Sequence, residues 1–187
     1  MDCKTIVGKI LIAVIALFMF GCEKEEMGEL CFIGDSNVAR WDLQKCFPVY
    51  ITNNLGKSNT GIDYVAGFSG SLGGKTVIIL TGTNDLSHVN EGYAEKYVDV
   101  IDNLGASSVY VFAILPRESK YNQDINEKIG ALNAEIREMV EKNGWHYIDL
   151  TDQLRDGQNI KWEYYSDGLH LSEHGYEVLT NALKKEL

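Results

Sequence analysis

The chain alternates between short apolar runs and longer segments whose apolar residues recur at helical spacing. The apolar, β-branched runs predict five strands, at residues 30–33, 49–52, 77–80, 109–115 and 145–150. The helical spacing predicts helices at 38–46, 91–104, 124–142 and 172–187, with a helical turn at 62–65. This alternation favours a parallel sheet with helices on both faces, so we predict an α/β fold: a three-layer α/β/α sandwich around a five-stranded parallel sheet.

Polar residues follow several of these predicted strands. Ser36 comes just after the first strand and Asn84 just after the third, while Asn59 lies in a Gly/Ser/Asn-rich loop after the second. Asp167 and His170 follow the fifth strand after a longer excursion. Because open parallel sheets bind ligands at the carboxyl ends of their strands, these side chains are predicted to share one rim.

The residue types on that rim suit nucleophilic catalysis. A serine hydroxyl needs a base to take its proton, and His170 can serve Ser36 in that way. Asp167, three residues before the histidine, can hold the imidazole in the required tautomer. The Asn84 amide and the Ser36 backbone N–H can stabilise an oxyanion. The structural alternatives are that Ser36 only caps a helix and that Asn84 only makes a turn.

Three short blocks, taken together, resemble a known family. The sequences "GDSN" at 34–37, "GTND" at 82–85 and "DGLH" at 167–170 resemble the motifs of the SGNH or GDSL hydrolases, in the family's order. The resemblance covers 30–187 and implies the flavodoxin-like SGNH hydrolase fold and a serine esterase that works without a cofactor. It also implies that Ser36, Asp167 and His170 are catalytic.

The same resemblance implies an oxyanion hole formed by Ser36, Asn59 and Asn84. Asn59 is a departure from the family pattern, which usually has a glycine at that position when the register is counted from Asn54. Asparagine tolerates left-handed backbone angles and still offers a backbone N–H, so the donor is expected to survive the change.

Composition excludes one class of partner and does not point to a metal site. The 187 residues carry a net charge of −10, which argues against a nucleic-acid partner, since phosphates require a basic face. No Cys/His spacing predicts a metal site.

The amino-terminal residues resemble a bacterial lipoprotein signal. Lys4 and Lys9 precede an apolar stretch at 10–20, and Gly21-Cys22 follows. We expect a signal peptide at 1–21, a lipid anchor on Cys22, an acidic tether at 22–29 and a hydrolase domain at 30–187. This predicts a protein anchored in the bacterial cell envelope, at the outer membrane, on either its periplasmic or its outer side. The alternative is an uncleaved N-terminal anchor.

Two further cysteines, Cys31 and Cys46, would lie in an oxidising compartment. A helix that runs back along the first strand would return Cys46 towards Cys31, so a disulfide between them is possible. The alternative is a pair of free cysteines in the core.

The chain that would remain after residue 21 is short and leaves little room for a lid or a deep acyl tunnel. The size and the family together favour short acyl groups, such as acetyl on carbohydrate, as the ester substrate. A lysophospholipid or a thioester is an alternative. A non-catalytic, glycan-binding envelope lipoprotein of the same fold is the rival from a different functional class.

Overall fold

The computed structural model describes residues 27–87, 89, 92–120 and 124–187. The predicted signal peptide, Cys22 and residues 23–26 of the predicted tether lie outside the described residues. The first strand, β1, spans Met27–Gly34, three residues earlier than the sequence pattern predicts. Residues 27–29 therefore belong to the sheet and not to a tether. Glu29 is held there by Asn53 of the neighbouring strand and by an ion pair with Lys75.

The predicted fold class is confirmed. Four further parallel strands follow β1, namely β2 (Tyr50–Gly56), β3 (Thr76–Leu80), β4 (Ser108–Phe112) and β5 (His146–Ile148). Their order across the sheet is β2-β1-β3-β4-β5. The strand order reverses direction between β1 and β3, and open sheets of this kind bind ligands at such a point.

Helices connect the strands. They are α1 (Ser36–Ala39), α2 (Leu43–Cys46), α3 (Ile62–Ala66), α4 (Tyr93–Asp102), α5 (Ile125–Lys142), α6 (Thr151–Leu154) and α7 (Glu173–Glu186). The single helix predicted at 38–46 is wrong: the chain breaks after α1, and the Asp42 carboxylate then caps α2 through the Lys45 N–H. No helix within the described residues is both long and apolar enough to cross a bilayer.

The core has two halves, one on each face of the sheet. Alternate residues of β1 face opposite ways, so Ile33 packs with α4 and α5 while Phe32 packs with α7 and Trp41. The same alternation in β3 places Ile79 in the first half and Ile78 in the second. Both halves consist mainly of buried apolar side chains, which pack the helices against the sheet.

The possible disulfide between Cys31 and Cys46 is not formed, and the same alternation explains why. Both cysteines are free. Cys31 points into the core half that contains Ile33, whereas Cys46 packs against the half that contains Phe32. The helix does return towards the start of the strand, but it packs on the opposite face from the Cys31 thiol, so the two sulfur atoms are separated by the sheet.

Candidate active site

Ser36 lies where the sheet reverses its strand order. It is the first residue of α1, directly after β1, and it is 6% exposed. Asp35 precedes it as the helix N-cap and accepts a hydrogen bond from the Asn37 N–H at 2.9 Å. As the first residue of the helix, Ser36 has a backbone N–H that no carbonyl within the helix can reach. Its N–H therefore lies at the end of the helix that faces the rim.

Three of the predicted residues meet in a hydrogen-bonded chain. His170 Nε2 lies 3.0 Å from Ser36 Oγ, and His170 Nδ1 lies 2.7 Å from Asp167 Oδ2. Asp167 Oδ1 also accepts hydrogen bonds from the backbone N–H groups of His170 and Leu169, at 2.8 and 3.1 Å. The histidine is thus oriented at one nitrogen by a carboxylate and presents the other to the serine hydroxyl, an arrangement that can move a proton off Ser36.

The Asp167 carboxylate stays charged at ordinary pH. Partial burial raises its pKa, but hydrogen bonds from the His170 backbone and imidazole and from the Leu169 N–H outweigh this and lower the pKa to about 2. The ionised carboxylate favours the imidazole tautomer that carries its hydrogen on Nδ1. That tautomer leaves Nε2 with a lone pair for the serine proton.

Asn37 holds the histidine loop against the serine helix, a role that sequence reasoning missed. Its side chain accepts a hydrogen bond from the Leu171 N–H at 3.2 Å and donates to the Leu169 carbonyl at 3.5 Å. These two contacts lie on either side of His170. Tyr176 of α7 donates to the Asn37 carbonyl at 2.9 Å. The only signal in the sequence was that Asn37 is a polar residue directly after the serine, and this does not indicate its distant partners at 169 and 171.

The two predicted oxyanion residues other than Ser36 lie on adjoining loops. Asn84 Nδ2 donates to the Thr60 carbonyl at 2.8 Å, which joins the turn after β3 to the loop after β2. That loop begins where the Lys57 N–H donates to the Gly34 carbonyl, two residues before Ser36. Asn59 has φ of 59°, the left-handed conformation expected of it. This bond uses one of the two amide hydrogens of Asn84.

Asp85 fixes both of these loops. Its carboxylate accepts from the Ile62 N–H at 2.8 Å and from the Tyr93 hydroxyl at 2.6 Å. A Cβ atom on Gly61 would lie 1.7 Å from Asp85 Oδ1, so only glycine lets the loop approach this closely. Asp85 therefore has a structural role: it positions the turn that carries Asn84.

The Asp35 carboxyl is buried beneath the serine, at 1% exposure. Burial raises its pKa to about 7, with the Asn37 N–H opposing the shift and the Asp85 carboxylate adding to it. At a pH between the ordinary carboxyl value and about 7, the folded protein therefore keeps a proton on Asp35 that the unfolded chain has released.

This proton makes stability depend on pH. The free energy of unfolding is expected to decrease as pH rises through that window, by up to about 4 kcal/mol for a shift of about three units. Asp35→Asn keeps an acceptor for the Asn37 N–H and removes the titration. Urea unfolding at about pH 4 and about pH 8 should therefore show a flatter pH profile for the variant. Asp42→Asn, which alters an exposed helix cap, is the matched control. Parallel profiles for wild type and Asp35→Asn would contradict the expectation.

A cavity of about 310 Å³ opens beside this site, on the β4 side. Thr83 and Asn84 form one wall, and Arg117 and Glu118 form another. The Glu118 N–H donates to the Gly168 carbonyl at 2.7 Å, which places the second wall next to Asp167 and His170. The cavity therefore lies next to the loop that carries Asp167 and His170.

Comparison with known proteins agrees with this geometry. The family model described as GDSL-like Lipase/Acylhydrolase family matches residues 32–178. An N-acylneuraminate cytidylyltransferase of Escherichia coli is 29% identical over 174 residues, which is 86% of this chain; the chain spans only 41% of that relative's length.

Several solved structures share the fold. A GDSL-like lipase from Bacteroides thetaiotaomicron is 22% identical, with a TM-score of 0.69 over 95% of each chain. An acetyl xylan esterase from Geobacillus stearothermophilus is 15% identical, with a TM-score of 0.62 over 86% of this chain and 94% of that one. These likenesses extend to the five-stranded sheet and its flanking helices. The family match spans the three motif blocks and most of the chain, so this chain belongs to the GDSL-like lipase/acylhydrolase family of carboxylic ester hydrolases.

Proposed function

We propose that the protein hydrolyses short-chain carboxylic esters, such as acetyl esters of carbohydrates, through an acyl-enzyme on Ser36. The observation that carries the proposal is the hydrogen-bonded chain from Ser36 Oγ through His170 to Asp167. A serine that merely caps a helix has no need of a histidine oriented by a carboxylate. The same chain disfavours the rival reading of a non-catalytic glycan-binding protein.

The reaction runs in two halves. His170 Nε2 takes the proton of Ser36 as Oγ attacks the ester carbonyl carbon, and the carbonyl oxygen becomes an oxyanion. The oxyanion collapses, the bond to the alcohol breaks, and the protonated imidazole gives its proton to the leaving alcohol. Water then attacks the acyl-Ser36 ester, its proton passes to His170, and the second collapse releases the acid and restores the serine hydroxyl.

Three donors are proposed to stabilise both oxyanions. They are the Ser36 backbone N–H at the start of α1, the Asn59 backbone N–H and the Asn84 side-chain amide. The hydrogen bond between Asn84 and the Thr60 carbonyl supports this assignment, because it fixes the amide beside the loop that carries Asn59. Fixed donors need no reorganisation as the charge develops.

The size of the adjoining cavity supports a small substrate. At about 310 Å³ it lies near the lower end of the range of ligand pockets, so a long acyl chain would not fit inside it together with the alcohol part of the ester. The names of two similar proteins also refer to acylated or acetylated carbohydrates: the acetyl xylan esterase, and the Escherichia coli relative named for N-acylneuraminate.

A chain-length series tests the substrate class. Ethyl esters from acetate to octanoate, followed by acid release, are expected to show kcat/KM falling as the acyl chain grows, because the cavity is too small for the longer chains. A rise with chain length would favour a lysophospholipase-type activity. A preference for acetyl thioesters over oxygen esters would favour a thioesterase.

We also propose that the protein is held at the bacterial cell envelope by lipid on Cys22. The basic residues, the short apolar stretch and the Gly-Cys boundary of the sequence support this. Cys22→Ser is expected to move the protein out of the membrane fraction, because fatty chains would supply the attachment. Cys3→Ser is the control, since Cys3 would leave with the signal peptide. A Cys22→Ser variant that stays in salt-washed membranes would point to an uncleaved anchor instead.

A further inference from the structure

The cavity beside the proposed nucleophile is lined by two charged residues, Arg117 and Glu118. Arg117 and Glu118 follow β4, and both are half-buried. Among the described residues, neither takes part in an ion pair. The cavity is therefore offered a guanidinium, which only donates hydrogen bonds, and a carboxylate, which only accepts them.

The backbone of this wall is firmly held. The Arg117 N–H donates to Asn126 Oδ1 at 3.0 Å, and Asn126 Nδ2 donates back to the Arg117 carbonyl at 2.8 Å. Asn126 is fully buried, and the Glu118 N–H is tied to the Gly168 carbonyl. The backbone of Arg117 and Glu118 is therefore preorganised, and a ligand would need to order only their side chains.

Trp162 extends this wall outwards. Its indole lies beside Glu118 on the same face of Gly168, where a Cβ added to that glycine would meet Glu118 Cβ at 2.9 Å and Trp162 Cη2 at 3.3 Å. The indole is 54% exposed, unusual for the largest apolar side chain. Its backbone is fixed in a 3-10 helix, Trp162–Tyr164, which Ser172 ties down through bonds to the carbonyls of Glu163 and Tyr164.

We infer that Arg117, Glu118 and Trp162 form a subsite for the alcohol part of the ester, and that this alcohol is a sugar. The inference rests on the proposed esterase function and deepens it. A pyranose presents a C–H face that packs on a flat aromatic ring and hydroxyl groups at its edge that both donate and accept hydrogen bonds. A guanidinium that only donates and a carboxylate that only accepts satisfy both kinds of hydroxyl bond.

The position of the subsite fits the reaction. Asn84, a proposed oxyanion donor, lines the same cavity as Glu118, and Trp162 lies next to Glu118 at Gly168. An ester carbonyl placed at Ser36 and Asn84 would therefore direct its alcohol towards Glu118, with Trp162 beyond it. With the alcohol in the cavity, little space remains for the acyl group, which agrees with an acetyl ester.

The test compares two acetate esters that differ only in the alcohol. Acid release is measured from a mono-acetylated methyl xylopyranoside and from ethyl acetate, which is too small to reach Trp162. Trp162→Ala is expected to lower the ratio of kcat/KM on the sugar ester to kcat/KM on ethyl acetate by about tenfold, through KM more than through kcat. Trp162→Phe keeps a flat ring and is expected to restore most of the ratio.

Ile51→Ala is the matched control, because Ile51 is 50% exposed and lies near the start of β2, at the opposite end of the sheet from Ser36. This variant should keep the wild-type ratio. Equal losses on both esters in Trp162→Ala would overturn the subsite, because they would mean that Trp162 only supports the Asp167 loop. Wild-type activity on ethyl acetate with no preference for the sugar ester would also overturn the subsite while leaving the esterase function standing. Failure of wild type on every ester would overturn both.

Discussion

Replacing Ser36 with alanine is expected to lower kcat/KM for ethyl acetate by at least about 10⁴-fold, because the serine oxygen itself forms the acyl-enzyme. The fold should be retained. The substitution removes one hydrogen bond, to His170 Nε2, which is worth about 1 kcal/mol of stability. Ester hydrolysis and thermal unfolding measured on the same preparation separate the loss of chemistry from a loss of structure.

A second measurement identifies the nucleophile directly. A fluorophosphonate probe should modify wild type at Ser36 and leave Ser36→Ala unlabelled, since only an activated serine attacks phosphorus at a useful rate. Ser69→Ala is the control: Ser69 is an exposed serine between Phe68 and Gly70, with no histidine partner among the described residues. Labelling at another residue, or full turnover by Ser36→Ala, would remove the proposed mechanism.

The central strands of the sheet could be predicted because they are buried on both faces. The sequences of β3 and β4 are nearly unbroken apolar runs, because a parallel strand that is covered on both faces has no solvent-facing side chains. The long helix α5 could also be predicted, because the face that packs on the sheet, including Ile129 and Ile136, carries apolar residues at helical spacing. Its observed start, at Ile125, differs from the predicted one by a single residue.

The edge strand was harder to predict for the opposite reason. β2 continues through Asn53 and Asn54 to Gly56, whereas the pattern ends it at residue 52. At an edge, polar side chains can face solvent or neighbouring loops, and Asn54 donates to the carbonyls of Val38 and Trp41. Those partners lie more than ten residues away in sequence, so no local pattern could reveal that the strand goes on.

The candidate site could be predicted from the sequence because its residues follow the ends of strands in recognisable blocks. The structure brings Ser36, Asp167 and His170 together. The residues that hold these three in place could not be predicted from the sequence. Asn37 reaches the histidine loop across more than 130 residues of sequence. Trp162 and Glu118 approach Gly168 from separate segments, through contacts that only the fold creates.

Asp167→Asn is expected to lower kcat/KM by about 10³- to 10⁴-fold at neutral pH, although the substitution changes only one atom. The two oxygens of Asp167 have different partners: Oδ1 accepts two backbone N–H groups, and Oδ2 faces His170 Nδ1. An asparagine in this place would keep its oxygen towards the two N–H groups. Its NH₂ group would then face Nδ1 and donate to it.

That donation fixes the imidazole in the opposite tautomer, with the hydrogen on Nε2. Such a histidine donates to Ser36 Oγ and can no longer take its proton. The pKa of about 2 for Asp167 makes the wild-type carboxylate a constant acceptor over the whole assay range, so the variant differs from wild type at every pH tested.

Asp152→Asn is the matched control: it makes the same change of charge at an exposed position in α6, away from the His170 loop. Its kcat/KM should stay within about twofold of wild type, as for most surface substitutions. Asp167→Ala, which removes the carboxylate without imposing a tautomer, is expected to retain more activity than Asp167→Asn. If the asparagine variant were as active as wild type, the Asp167 carboxylate would only cap the loop, and the orientation of His170 would have to come from elsewhere.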